Sequence, residues 1–229
     1  MTPIKIVQHA RRRGLAMIAI TDHNSAQNAP AVIRAADGSG ISVLPGMEVT
    51  TAEEAHVLAL FADLAAAESM QALVYERLQP GENDEDLFGL QVVANELDEV
   101  EDMNPRLLIG ATTLAVDELV REVHARDGLA IACHIDRESY SLVGQLGFIP
   151  PDLPLDGVEI SRRLTLPEAR TRFPEYRDRP FLSASDAHEI IDLGTNPTVM
   201  RLAAASFDEL RLALLGKGGR GIVEEAASA

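Results

Sequence analysis

Short runs rich in Val and Ile alternate along the chain with stretches in which apolar residues recur at helical spacing, the pattern of helices covering a mainly parallel sheet. The pattern predicts strands at AMIAI (16–20), ISVLPGMEVTT (41–51), HVLALF (56–61), LAIACHI (129–135), VEIS (158–161) and FLSAS (181–185). Helices are expected from Thr2-Pro3 to Gly14, from Asn28 to Ala36, from Asp63 to Leu78, through Val116, Leu119, Val120 and Val123, and from Phe207 to Leu215. Local chemistry supports these limits. Thr2 is placed as an N-cap with Pro3 in the first turn, Asp117 and Glu118 face the positive end of their helix, and Gly14 and Gly128 act as stops.

From Glu82 to Asp102 there are many acids and no Lys or Arg, around QVVAN (91–95) and ahead of RLLIG (106–110). A run of one charge is usually an exposed face, so about 80–110 reads as a solvated acidic insertion of β-hairpin type. Neither an internal repeat nor a dividing linker is evident, and 1–229 is read as one domain.

The length of 229 residues suits one α/β barrel or open sheet. The formal charge of −16 weighs against a generic basic surface for long nucleic acid, and 4% aromatics without Trp leave little for base stacking. One cysteine, Cys133, excludes an internal disulfide and any Cys-x-x-Cys zinc site, and alternation along its strand is expected to point it away from the neighbouring His134. No signal-peptide core and no apolar run of ~20 residues occur, so a cytoplasmic protein without a membrane partner is expected. Oligomeric state is left open.

The candidate chemistry lies in the histidines. His23, His134 and His188 each follow an apolar strand, and His56 sits at a strand boundary, whereas His9 and His124 fall in helices and read as ordinary polar positions. In such folds the carboxyl ends of strands converge on one face, where sites form. Carboxylates accompany them: Asp22 beside His23, Glu48 before His56, and Asp186 two residues before His188. Imidazole and carboxylate together suit Zn, Mn or Fe, and a shared carboxylate lets two cations sit close together.

IAITDHNSAQN (18–28), LPGMEVTTAEEAHVLALF (44–61), IACHID (131–136) and SASDAH (183–188) resemble the PHP family, named for polymerase and histidinol phosphatase domains. The resemblance covers about 18 to 188. It implies a distorted seven-stranded β/α, TIM-like barrel holding two or three Zn, Mn or Fe ions and hydrolysing phosphoesters. It carries Glu48, His56 and His134 over as one ligand set, Glu48 with Asp186 as a second, and His23 with His188 as a third. Members normally begin with an Asp-x-His-x-His strand that this chain does not contain, so the barrel is expected to be incomplete at its first strand and two ion sites to lack ligands. A natural start upstream of Met1 is favoured over a non-catalytic remnant or a strand supplied by a partner.

The implied mechanism is in-line attack by a hydroxide bridging the ions, with Asp22 or Asp186 orienting it or accepting its proton. Asn24, Ser25, Arg137, Arg162 and Arg163 are candidate phosphate donors. A small nucleotide or sugar phosphate is the expected substrate. Exonuclease chemistry on RNA or DNA ends, a non-catalytic binding or regulatory module, and a metal amidohydrolase or deaminase are the alternatives.

Overall fold

The computed structural model describes residues 1–223, so the last residues of the predicted domain, 224–229, lie outside the described residues. In chain order the elements are α1 (Pro3–Arg12), β1 (Met17–Ile20), α2 (Ala29–Ala35), β2 (Ser42–Thr50), β3 (His56–Leu60), α3 (Leu64–Arg77), α4 (Glu85–Phe88), β4 (Val92–Ala94) and β5 (Val100–Met103). They continue with α5 (Val116–Ala125), β6 (Leu129–Ala132), α6 (Leu142–Leu146), β7 (Gly157–Ile160), α7 (Leu166–Arg172), β8 (Phe181–Ser183), β9 (Met200–Arg201), α8 (Phe207–Leu214) and β10 (Gly221–Ile222). Among the described residues, no helix is long and apolar enough to cross a membrane.

Six strands form one curled, half-barrel sheet in the order β1-β2-β3-β6-β7-β8, to be set against the expected seven-stranded barrel incomplete at its first strand. All pairs are parallel except β2–β3 and β3–β6, so β3 alone runs against its neighbours. Alternation sorts the side chains to two faces. Met47, Val49, Val57, Ala59, Ala130, Ala132, Val158 and Phe181 pack outward on α3 and α5 through Met70, Val74, Leu119 and Val123. Leu44, Leu60, Leu129, Ile131 and Leu182 pack on the enclosed face against Phe207, Leu210 and Leu214 of α8. Gly46 of β2 is required by this register, since a Cβ there would lie 2.6 Å from the Ala59 carbonyl oxygen.

The acidic segment contains a hairpin, β4 with β5, and most of it is exposed as expected, yet it is also fastened to the body. Asn28 Nδ2 donates to the Val92 carbonyl, and its Oδ1 accepts from Ala94 N. Asn104 Nδ2 donates to Gln27 Oε1 and to the Tyr75 hydroxyl. At the hairpin tip, Asp98 accepts from Ile4 N at 2.8 Å and from Thr2 Oγ1 at 2.7 Å. Thr2 thus holds the N-cap position of α1 without capping through its own side chain, because Asp98 occupies the amide it would have served. Asp98→Ala is expected to cost about 1 kcal/mol, readable as a lower urea midpoint, and to increase proteolysis within 80–110.

Candidate metal centre

The reversed direction of β3 decides which side chains meet. Thr50 pairs with His56 and Glu48 with Leu58, so the start of β3 lies at the rim formed by the ends of β2, β6, β7 and β8. His56 therefore joins residues that follow strands although it opens one. His23 reaches the same rim through a parallel bridge to Glu48, with Glu48 N donating to the Asp22 carbonyl and Asn24 N to the Glu48 carbonyl.

Glu48 is the hub. Its Oε1 touches His56 Nδ1 and lies 3.5 Å from His134 Nε2, all three being buried. The His23 ring is centred 5.2 Å from that of His56 and 6.0 Å from that of His188, and His56 lies 5.5 Å from His134. Asp186 and His188 follow β8, with His188 Nδ1 3.8 Å from Asp186 Oδ1. The structure thus gathers all four strand-boundary histidines at one rim with Glu48 and Asp186. His124 sits apart, paired with Asp156 at 2.9 Å.

Burial alone would raise the Glu48 carboxyl, but the hydrogen bonds and charge offered by His134, His56 and His23 outweigh it and hold the group well below the usual carboxylate range. Burial lowers His23, against the attraction of Glu48 and with help from His56 and His188, which keeps the ring neutral and its lone pair available. Asp22 keeps solvent contact at its surface, yet the protein around it raises its carboxyl, opposed by a hydrogen bond from Asn28 and by His23.

The donors fit a cation. The Nδ1 atoms of His23 and His134 are buried without a hydrogen-bond partner, and His56 Nδ1 rests directly on the Glu48 carboxylate. Unpartnered buried nitrogens carry a cost that coordination would remove. Among the described residues, two donor groups fall within 4.8 Å: His23, Glu48 and His56, and Glu48, Cys133 and His134.

The candidate phosphate donors fare differently. Asn24 is fully buried, with Nδ2 donating to the Leu108 and Gly110 carbonyls at 2.8 Å each and Oδ1 accepting from Thr50 N. It is a structural clamp for the insertion and has no donor left for substrate. Ser25 is likewise buried and bonded to Tyr75 and Gln71. Arg137 reaches the rim and pairs with Asp186 at 2.8 Å. Arg162 and Arg163 are exposed, the former in an ion pair with Asp192.

Three residues at the rim escaped sequence reasoning. Cys133 was expected to turn away from His134, but register puts Cys133 on the face of His56 and the positive φ of His134 (29°) turns that residue back to Glu48 as well. Glu159 of β7 is buried near Glu48 and Asp186, and burial followed by their charge pushes its carboxyl up to about 8. The lone acid in apolar VEIS was its only signal. Tyr140, exposed and at φ 57°, stacks on His56 with ring centres 4.7 Å apart, while its carbonyl accepts from His56 N. Nothing in the local pattern marks it.

Together these features define an α/β protein with a candidate metal centre at one rim of its sheet. The family model described as PHP domain matches residues 1–141, and the chain belongs to that family, whose members are metal-dependent hydrolases. No curated protein sequence matches significantly. Among solved structures, the lesion-specific endonuclease Endonuclease Q from Pyrococcus furiosus aligns at 17% identity and a TM-score of 0.66, covering 97% of this chain and 53% of that one. An Endonuclease Q complex with a 27-mer duplex bearing an abasic lesion aligns at 19% identity and 0.67, covering 96% and 53%. A proposed metal-dependent phosphoesterase from Bifidobacterium adolescentis aligns at 19% and 0.58, covering 93% and 90%. The chain thus spans about half the length of Endonuclease Q, and these likenesses concern the fold.

Proposed function

We propose that the protein is a metal-dependent phosphoesterase acting on a small phosphorylated molecule of the nucleotide or sugar phosphate type. The observation that carries this reading is Glu48, one buried ionised carboxylate in reach of His56 and His134, with the other strand-boundary histidines around it. Glu48, His56, His134, His23, Asp186 and His188 would hold two or three divalent ions of Zn, Mn or Fe. When bound, such ions make water a competent nucleophile near neutral pH and neutralise charge on the phosphoryl oxygens.

The chain's own groups divide the remaining work. Asp22 is fixed by Asn28 Nδ2 at 3.0 Å and keeps access to solvent, so it can take the proton of the attacking water. Asp186 orients that water and is itself aligned by Arg137, whose remaining N–H groups can donate to a phosphoryl oxygen. Asp186→Asn is expected to lower turnover about a hundredfold while leaving the melting temperature of the metal-free protein within a few degrees. Full turnover with full metal content would remove this role.

Tyr140 supplies an aromatic wall beside the site. Tyr140→Ala is expected to raise KM for nucleotide and aryl phosphates about tenfold with little change in kcat, and Tyr140→Phe to leave both near wild type. An equal fall in kcat for every substrate would mean that the ring acts by orienting His56.

The function is tested by metal content per chain together with phosphate release from nucleotides, sugar phosphates and a labelled oligonucleotide. Faster action on the oligonucleotide would favour nucleic-acid ends, the reading supported by the Endonuclease Q likeness and opposed by the charge of −16. Binding of no metal and release of no phosphate would leave the non-catalytic module.

A further inference from the structure

Asn28 stands at the N-cap position of α2, yet its side chain makes no capping bond there. It is turned instead to the free edge of β4, donating from Nδ2 to the Val92 carbonyl at 3.1 Å and accepting at Oδ1 from Ala94 N at 3.1 Å. A primary amide has two hydrogens and one oxygen, so a single hydrogen remains, and it goes to Asp22 Oδ2 at 3.0 Å. Because the hairpin offers an acceptor to one end of the amide and a donor to the other, the group cannot flip without losing all three bonds.

Asp22 has little else to hold its side chain. Its carbonyl accepts from Glu48 N, which ties the backbone to β2, but among the described residues Asn28 alone hydrogen-bonds the carboxylate. The grip continues along the same loop. Gln27 Oε1 accepts from Asn104 Nδ2 at 2.6 Å, and Asn24 holds the Leu108 and Gly110 carbonyls, so every amide side chain from 24 to 28 is paired with the segment 92–110. The hairpin in turn is seated on two helices: Arg34 in the last turn of α2 pairs with Glu96 at 2.7 Å, and Asp98 binds the start of α1.

We propose that the β4–β5 hairpin sets the direction of the Asp22 carboxylate, with Asn28 as the positioning residue that carries the constraint. Holding Oδ2 on an amide that cannot turn leaves Oδ1 as the oxygen free to take the proton of the attacking water, in one orientation rather than several. The insertion is thus a working part of the site, although it contributes no group that touches substrate. This inference rests on the role given to Asp22 in the proposed function.

The test is a pair of double-mutant cycles read in kcat, KM and metal content per chain. Asn28→Ala is expected to lower kcat roughly tenfold while KM and metal content stay within about twofold. Ala94→Pro removes the N–H that holds Asn28 Oδ1, on the edge of β4 away from β5, and is expected to lower kcat in the same sense by a smaller factor. Asp22→Ala should cost about a hundredfold, and neither other substitution should lower kcat further in that background. Equal losses from Asn28→Ala with and without Asp22 would overturn the proposal, as would loss of metal in Asn28→Ala or an unchanged kcat in Ala94→Pro. Full turnover in Asp22→Ala would overturn the role of Asp22 and this inference with it, leaving the phosphoesterase reading intact, whereas release of no phosphate by the wild-type protein would overturn all three.

Discussion

Glu48→Gln is expected to leave less than one ion per chain and to reduce phosphate release by roughly 10³-fold or more, the largest loss from any single substitution at the rim. Its carboxylate is in reach of both His56 and His134 and, among the described residues, is common to both donor groups, and a neutral amide offers neither the charge nor the second anionic oxygen. Elemental analysis and phosphate release on the same sample check the prediction, and wild-type metal content would contradict it. The metal-free proteins provide an independent arm. Because the folded protein holds this carboxyl below its ordinary 4.5, its stabilising contribution is present above that value and disappears as pH falls through the lower, folded one. Chelated Glu48→Gln should therefore melt below chelated wild type at pH 7, with the gap closing on acidification.

For Glu159 the sign is opposite. Its carboxyl ordinarily titrates at 4.5 and is pushed up to about 8 in the fold by burial and by the charge of Glu48 and Asp186. Below pH 4.5 both folded and unfolded chains hold the proton, and the residue makes no pH-dependent contribution. Between 4.5 and about 8 the unfolded chain has released a proton that the folded chain keeps, so stability declines with rising pH and then levels. The full decline is on the order of 5 kcal/mol. Chelated Glu159→Gln should lack this slope and exceed wild type in urea melts at pH 8 while matching it near pH 4. Cations at Glu48 should narrow the difference, since their charge favours the ionised carboxyl. Parallel curves for the two proteins from pH 4 to 8 would show that Glu159 titrates normally.

Much of this centre was legible because it is built from strand boundaries. His23, Glu48, His56, His134, Asp186 and His188 each stand where an apolar run stops or starts, and that position is sufficient to bring them to one rim. The sequence pattern could not show that β3 runs backwards, although His56 needs that reversal to reach Glu48. Cys133 and His134 were expected on opposite faces because alternation assumes extended backbone, an assumption that His134 breaks. Asn24 looked available because it follows the Asp-His pair, yet three bonds to Leu108, Gly110 and Thr50 consume it, all from residues more than twenty positions away. Thr2 lost its capping role for the same reason: Asp98 competes for the amide across 94 positions. Local patterns identify what a residue can do, and distant partners decide whether it remains free to do it.

The packing of α8 has a consequence for biosynthesis. Phe207, Leu210 and Leu214 cover Leu44, Leu60 and Leu129 on the enclosed face, but they leave the ribosome after all six strands of the main sheet. Until they emerge, a nascent chain can form its outward core with α3 and α5 while its inner apolar surface stays wet. Such an intermediate is a natural client for chaperones and prone to association with its own kind, so α8, the last helix among the described residues, governs the yield of soluble protein.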